Sequence, residues 1–388
     1  MTNWPLFPVT TVGSLPRSEP LLQALRQRQA GRMEPDAFAE VARQAVQAAV
    51  ALQEEAGVDI VSDGEQFRDN FYSFITDAVH GVRLMSLAEL LDYVENKAAF
   101  ERLLNALDVP AFAIRNPVVE GPVRRRTSLA RHELQAAQAC TAKPIKMALP
   151  GPYLLTRSMW VKRLTADTYP TKEALGDDVV KLLRDELIDL REAGCAFVQF
   201  DEPVLSEVAF AGPHMTHTFM CAALSEKSDP EEELNFAVDL LNQVVAGVDG
   251  IKTGLHVCRG NWSRQEEVLL QGAYDPLIPY FSRMQVNQLV LEYATERAGS
   301  MEVLRALPPE MEIGLGVCNP RSAEVEPVEF IVDKVNTLLH HREPGQIYLN
   351  PDCGFGTFAE RPVNTAEVAA AKLRTIHQAA NVLREEWA

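Results

Sequence analysis

Short β-branched or apolar runs, each followed by a segment of helical periodicity, recur eight times along this chain, and no other feature restricts its fold so tightly. That alternation belongs to βα units around a parallel sheet, because two parallel strands must be joined by a crossover long enough to hold a helix. The eight candidate strands lie near Pro8–Gly13, Asp59–Ser62, Pro144–Leu149, Phe197–Asp201, Lys252–His256, Gln288–Glu292, Glu312–Val317 and Ile347–Asn350. Helices between them are marked by period and punctuation. In Asp36–Ala56 the apolar residues Phe38, Val41, Ala42, Ala45, Ala49 and Leu52 recur at three and four, and Gly57 takes the stop position. Val179, Leu183, Leu187 and Leu190 line one face ahead of Gly194, and Asn364 and Thr365 stand as caps before the last helix. Eight such units predict an α/β chain folded as a (β/α)8 TIM barrel, with a doubly wound sheet as the alternative that pattern leaves open. The stretch from about 71 to 126 is too long for a βα loop and carries a helical pattern around Leu87–Leu107, so it is expected to elaborate the second unit of a single domain spanning 1–388.

Charge narrows the partners. The chain has 37 Lys and Arg against 54 Asp and Glu, a net charge of −17, and its summed field repels nucleic acid and anionic membrane surfaces. No apolar run approaches the ~18 residues of a membrane span, and Met1–Pro8 carries no basic, then apolar, export signal. A cytoplasmic protein is expected. Its six cysteines, Cys140, Cys195, Cys221, Cys258, Cys318 and Cys353, are too scattered for a disulfide scaffold, which leaves packed thiols, metal ligands or reactive groups.

In a barrel the chemistry gathers where the strands end. Here those ends read VGSLPR with Ser14, SDGEQFRDN with Asp63, Glu65 and Asn70, LPGPY with Gly151, QFDEP with Asp201 and Glu202, HVCRGN with His256 and Cys258, LEY with Glu292, GVCNPRS with Cys318 and Asn319, and NPDCGFG with Asp352 and Cys353. Residues i and i+2 of a strand share a face, so His256 and Cys258 can point together, and a barrel can bring Glu292 and Cys353 to the same place. Two thiolates, an imidazole and a carboxylate form a donor set suited to Zn2+, with the carboxylate the member most easily exchanged for a substrate sulfur. A zinc ion so held would deprotonate an incoming thiol near neutral pH. Buried structural His and Cys at strand ends are the competing account. Glu65, Asp201 and Glu202 suit acid–base work, amine binding or helix capping equally. The triplet Arg124–Arg126 reads as an anion site or a hairpin edge, and Trp160 and Trp262 as stacking surfaces or core.

Taken in order, TTVGSLPR, DGEQFRDN, QFDEP, HVCRGN, LVLEYA and LNPDCGFGT resemble the catalytic, C-terminal half of cobalamin-independent methionine synthases, over nearly the whole chain. The resemblance implies a TIM-barrel methyltransferase that moves a methyl group to the thiolate of homocysteine, with zinc on His256, Cys258, Glu292 and Cys353. It also implies that Ser14, Glu65 and Asp201 hold the amino-acid end of homocysteine, the two carboxylates facing its ammonium group. Trp160 lies near, though out of register with, the family's pterin-stacking tryptophan. Two departures bear on the methyl donor. The full-length enzymes carry a second, N-terminal barrel that helps bind a polyglutamylated folate, whereas this sequence opens on the catalytic motifs. The family also places a histidine after strand seven in a pattern like DIHSP, where this chain has VCNPRS around Asn319 and Arg321, so no catalytic residue is assigned. The likeness to the short relatives with one barrel leaves two expected donors, methyl-folate or a methyl-corrinoid, the latter free or carried on a partner protein. An epoxyalkane:coenzyme M transferase shares this architecture and would need cations for a sulfonate, for which Arg17, Arg68, Arg259 and Arg321 are the candidates. A metal-free uroporphyrinogen decarboxylase-like barrel would need several arginines and no thiolate ligands.

Overall fold

Six of the eight expected runs join as one parallel sheet. The structure, a computed structural model, describes residues 4–93, 115–210 and 229–387. The strands are β3 (Lys146–Pro150), β4 (Phe197–Asp201), β5 (Lys252–Val257), β6 (Gln288–Leu291), β7 (Glu312–Cys318) and β8 (Ile347–Pro351), hydrogen-bonded in that order. All residues of β3, β4, β6 and β8 are buried, as a parallel sheet covered on both faces requires. The first two expected runs are held by single parallel bridges. Val9 pairs with Leu349, Thr10 with Ile60 and Val61 with Ile145, so the two edges of the sheet are linked through residues 9–10 and 60–61. Main-chain hydrogen bonds from Thr10 N–H to Leu349 O at 2.9 Å and from Lys146 N–H to Val61 O at 2.8 Å carry that link.

The helices follow the sequence signals closely. Pro35–Glu55 starts on a proline, whose missing N–H costs nothing in a first turn, and buries Phe38, Ala42, Val46, Ala49 and Val50. Lys172–Glu192 is capped by Thr171 Oγ1 accepting from Ala174 N–H, and Pro230–Val245 by the Asp229 carboxylate. The last helix, Ala366–Trp387, takes Thr365 as its cap, with Val368 N–H donating to its hydroxyl. Asn364 does not cap it: that side chain instead donates to the carbonyls of Pro320 and Ser322.

The elaboration after the second unit differs from its sequence reading. It carries an antiparallel pair, β1 (Val79–Ser86) and β2 (Arg115–Arg125), which the helical pattern concealed. Of Leu87–Leu107 only Leu87–Leu90 is helical among the described residues, closed by a Ser86/Glu89 capping box. The rest of that pattern, from residue 94 on, lies outside them. Arg125 ends β2 and pairs with Glu186 and Asp189, which places the arginine triplet at a hairpin edge. Among the described residues no helix is long and apolar enough to cross a membrane.

Candidate metal centre and substrate pocket

Strand register builds the site. Asp201, the last residue of β4, pairs directly with His256 in β5, and Cys258 follows one residue beyond that strand on the same face. Cys353 arrives two residues past β8. Its loop passes so close to Ser14 that a Cβ on Gly354 would stand 2.1 Å from Ser14 Oγ, and only glycine allows that approach. Asn261 fixes the same turn by donating to Gly354 O at 2.6 Å and to Thr357 Oγ1 at 2.9 Å.

One ligand atom each from His256, Cys258 and Cys353 lies within 4.8 Å of the others, and all three residues are buried. His256 Nδ1 faces the carbonyl of Val290 at 3.2 Å, while Nε2 is buried without a hydrogen-bond partner. Burial disfavours its charge, but Cys258, Asp201 and Glu292 raise the imidazole to about 9; with Nδ1 donating to that carbonyl, loss of the Nε2 proton gives the tautomer a metal-binding imidazole uses. Cys258 is pulled down to about 5, chiefly by the S–H of Cys353 with His256 assisting, against a burial that opposes it. Cys353 is pushed well above the ordinary thiol range because it supplies that proton. An orphaned imidazole nitrogen beside two sulfurs fits a soft divalent cation such as zinc.

Glu292 stands apart from this trio. It follows β6 and lies in the same neighbourhood, yet it is absent from the set whose donor atoms converge. Its Oε2 accepts the backbone N–H of Arg259 at 3.1 Å, and Arg297 Nη2 reaches both carboxylate oxygens at 3.4 Å. Arg321 Nη1 is 3.8 Å away.

Above the trio opens a pocket of about 550 Å³, mouth included, lined by Ser14, Glu65 and Asp201 together with His256, Cys258 and Cys353. Its remaining walls are mainly apolar, from Val12, Phe71, Pro203, Trp262 and Phe358. Glu65 sits at a φ of 55°, uncommon for a residue with a side chain, and its Oε2 is buried without a partner. Burial raises its carboxyl above the ordinary range, and burial likewise pushes Asp201 up to about 7. Two buried carboxyls facing one pocket, one of them with an oxygen that has no partner, are a receptor for a cation.

Other expectations resolve differently. Glu202 turns away and caps the helix Pro152–Met159, accepting from Tyr153 and Leu154 N–H. Trp160 donates its indole N–H to Tyr169 O and does not line the pocket; Trp262 does. Among the described residues no lysine or arginine lines it either. Arg17 donates to main-chain carbonyls, Arg68 to Glu133 and Ala148 O, Arg259 to Gly272 O and Ala298 O, and Arg321 to Glu266 and Asn261. The described residues therefore give this pocket no cationic wall of the kind a sulfonate or a polycarboxylate would require. Asn319 likewise ties the loop after β7 to Glu266. Phe71, Phe358 and Asn261 went unmarked in the sequence reading as pocket residues. Asn261 had a signal, its place in HVCRGN, whereas the two phenylalanines come from irregular loops with no period to expose them.

The sequence is similar to the methionine synthase of Pyrococcus abyssi, 27% identical over 384 residues covering 98% of this chain and 94% of that protein. It is 25% identical over 387 residues to the methionine synthase of Saccharolobus solfataricus, covering 100% and 97%. In fold it matches a B12-independent methionine synthase from Shewanella sp. W3-18-1, solved in complex with selenomethionine, with a TM-score of 0.74 at 21% identity over 98% of this chain and 99% of that one. A methyltransferase from Methanosarcina mazei aligns with a TM-score of 0.58 at 14% identity, covering 99% and 95%. The family pattern described as the catalytic domain of cobalamin-independent synthase matches residues 7–381, and the chain belongs to that family.

Proposed function

We propose that this chain is a zinc-dependent methyltransferase that moves a methyl group to the sulfur of homocysteine, forming methionine, and that residues 1–388 make one (β/α)8 catalytic domain closed by the bridges through residues 9–10 and 60–61. The observation that carries the reading is the buried His256, Cys258 and Cys353 trio forming part of a pocket that also holds the buried carboxyls of Glu65 and Asp201 and, among the described residues, no lysine or arginine. Its relatives are methionine synthases, and the Shewanella structure held the selenium analogue of the product. Zinc on the trio would lower the pKa of an incoming thiol and hold the sulfur as a nucleophile.

The chain's own residues do the rest. Glu65 and Asp201 receive the ammonium group, with Ser14 beside them, so the amino-acid end is fixed and the sulfur falls toward the trio. Val12, Phe71, Pro203, Trp262 and Phe358 keep water from competing for the methyl group. The sulfur gains the methyl carbon, loses its proton, and the donor departs with the electron pair of the broken bond. Glu292 lies outside the converging trio and is engaged by Arg297 and Arg321, so we assign it the exchangeable place.

The test combines metal analysis with transfer. Purified protein is expected to hold about one zinc per chain and to form methionine from homocysteine with methyl-tetrahydrofolate or methylcobalamin, the two donors run separately. Cys353→Ser should cut zinc content by an order of magnitude or more and abolish transfer. No methionine from either donor, or full zinc retention in both Cys258→Ser and Cys353→Ser, would sink the assignment.

A further inference from the structure

Inside the sheet, below the carboxyl assigned to the substrate ammonium, a lysine is buried without a carboxylate partner. Lys146 in β3 is 0% exposed, and its Nζ donates to Gln199 Oε1 at 3.1 Å. Gln199 in β4 is equally buried, and its Nε2 donates to Asp201 Oδ1 at 2.8 Å and to Val12 O at 3.0 Å. An ammonium can only donate, so it fixes which end of the amide is which. With Oε1 turned to Lys146, Nε2 must face Asp201. Placing a bare cation in a barrel interior is expensive, and nothing in strand packing calls for it.

We propose that Lys146 and Gln199 are positioning residues for amino-acid recognition: the lysine sets the amide, the amide holds Asp201 Oδ1, and the second carboxylate oxygen is thereby aimed at the ammonium group of the substrate. Neither residue lines the pocket, and both act through Asp201. Val12, which shares the amide, does line it, so one side chain sets both a charged and an apolar wall of the same subsite. The inference rests on the homocysteine reading of the pocket.

The experiment compares two ligands on the zinc-loaded protein by calorimetry: L-homocysteine and γ-mercaptobutyrate, which keeps the thiol and carboxylate and lacks the amine. Wild type should prefer homocysteine by roughly a hundredfold, since a site built for a donor rejects the analogue without it. D201N should erase most of that preference. Q199L should lower it about tenfold, the size expected when a hydrogen bond to a charged group is lost, while affinity for γ-mercaptobutyrate stays within about threefold. K146M, close in volume, reaches the same relay from its other end and should lower the preference as well, and the double variant should be no worse than Q199L alone. A merely structural role would weaken both ligands together. Preference unchanged in both Q199L and K146M, with D201N impaired, overturns the relay and spares the pocket reading. No preference in wild type, or none lost in D201N, sinks both.

Discussion

Asp63 carries a carboxyl that the fold keeps from water. Its Oδ1 accepts the backbone N–H of Glu65 at 3.1 Å, its Oδ2 is buried without a partner, and burial, with Glu133 adding to it, pushes the group up to about 7. An unfolded aspartate titrates near 3.9. Between these values the folded chain binds more protons than the unfolded one, so stability falls as pH rises: the contribution is fully present below the unfolded pKa and lost through pH 7. D63N removes the titration while preserving the acceptor for Glu65. Its stability relative to wild type should therefore increase by about 2 kcal/mol between about pH 5.5 and pH 8, measured by urea unfolding at each pH. A constant difference across that range would show that Asp63 is ionised throughout. The same residue marks where sequence reading stops. DGEQFRDN was legible as a strand end rich in polar groups, yet nothing in it separates Glu65, which faces the pocket, from Asp63, which does not. That distinction comes from the turn, where Glu65 adopts a left-handed backbone that no spacing rule predicts.

At the level of elements, a buried ion pair holds the loop after the second run against its neighbours. Arg68 donates through Nε and Nη2 to Glu133 in the helix Arg131–Gln138 and through Nη1 to Ala148 O in β3, with both charged side chains 1% exposed. One guanidinium thus ties three successive pieces of chain behind Glu65. Removing Glu133 leaves a buried cation uncompensated, so E133Q should cost about 3–5 kcal/mol in urea unfolding, whereas E360A, which breaks an exposed pair with Arg26, should cost less than about 1 kcal/mol. Equal losses would mean that the loop does not depend on this pair. Elements of regular period were legible: the expected helix Asp36–Ala56 is observed as Pro35–Glu55, and six strands fall within a few residues of their predicted ends. The β1–β2 pair was not, because β2 (RNPVVEGPVRR) contains two prolines and a glycine and β1 alternates poorly, its burial running buried, then five exposed or intermediate residues. The trio was legible as residue types at strand ends. The separation of Glu292 was not, since Arg259, Arg297 and Arg321 come from three different loops.

For the whole molecule, the chain ends decide whether the sheet's two edges stay joined. The first run makes only single bridges, to Leu349 on one side and Ile60 on the other, so its ladder is short on hydrogen bonds. The last helix compensates. Arg384 donates from Nε to Leu6 O at 2.8 Å and from Nη2 to Phe7 O at 3.3 Å and to Asp59 Oδ2 at 2.6 Å, and the same Asp59 oxygen accepts Val9 N–H at 2.8 Å. A single half-buried arginine thus connects the C-terminal helix, the first run and the start of the second. Charge-assisted bonds of this kind contribute about 1.5–3 kcal/mol when shielded from water. R384A should therefore lower stability by about 2 kcal/mol, D59A by at least as much because Val9 N–H also loses its acceptor, and the double variant by little more than D59A. Because Val12 and Ser14 continue the first run into the pocket, loosening it should also raise the KM for homocysteine more than it lowers kcat. Additive losses in the double variant, or an unchanged KM at a temperature where R384A remains folded, would show that closure and the pocket are independent.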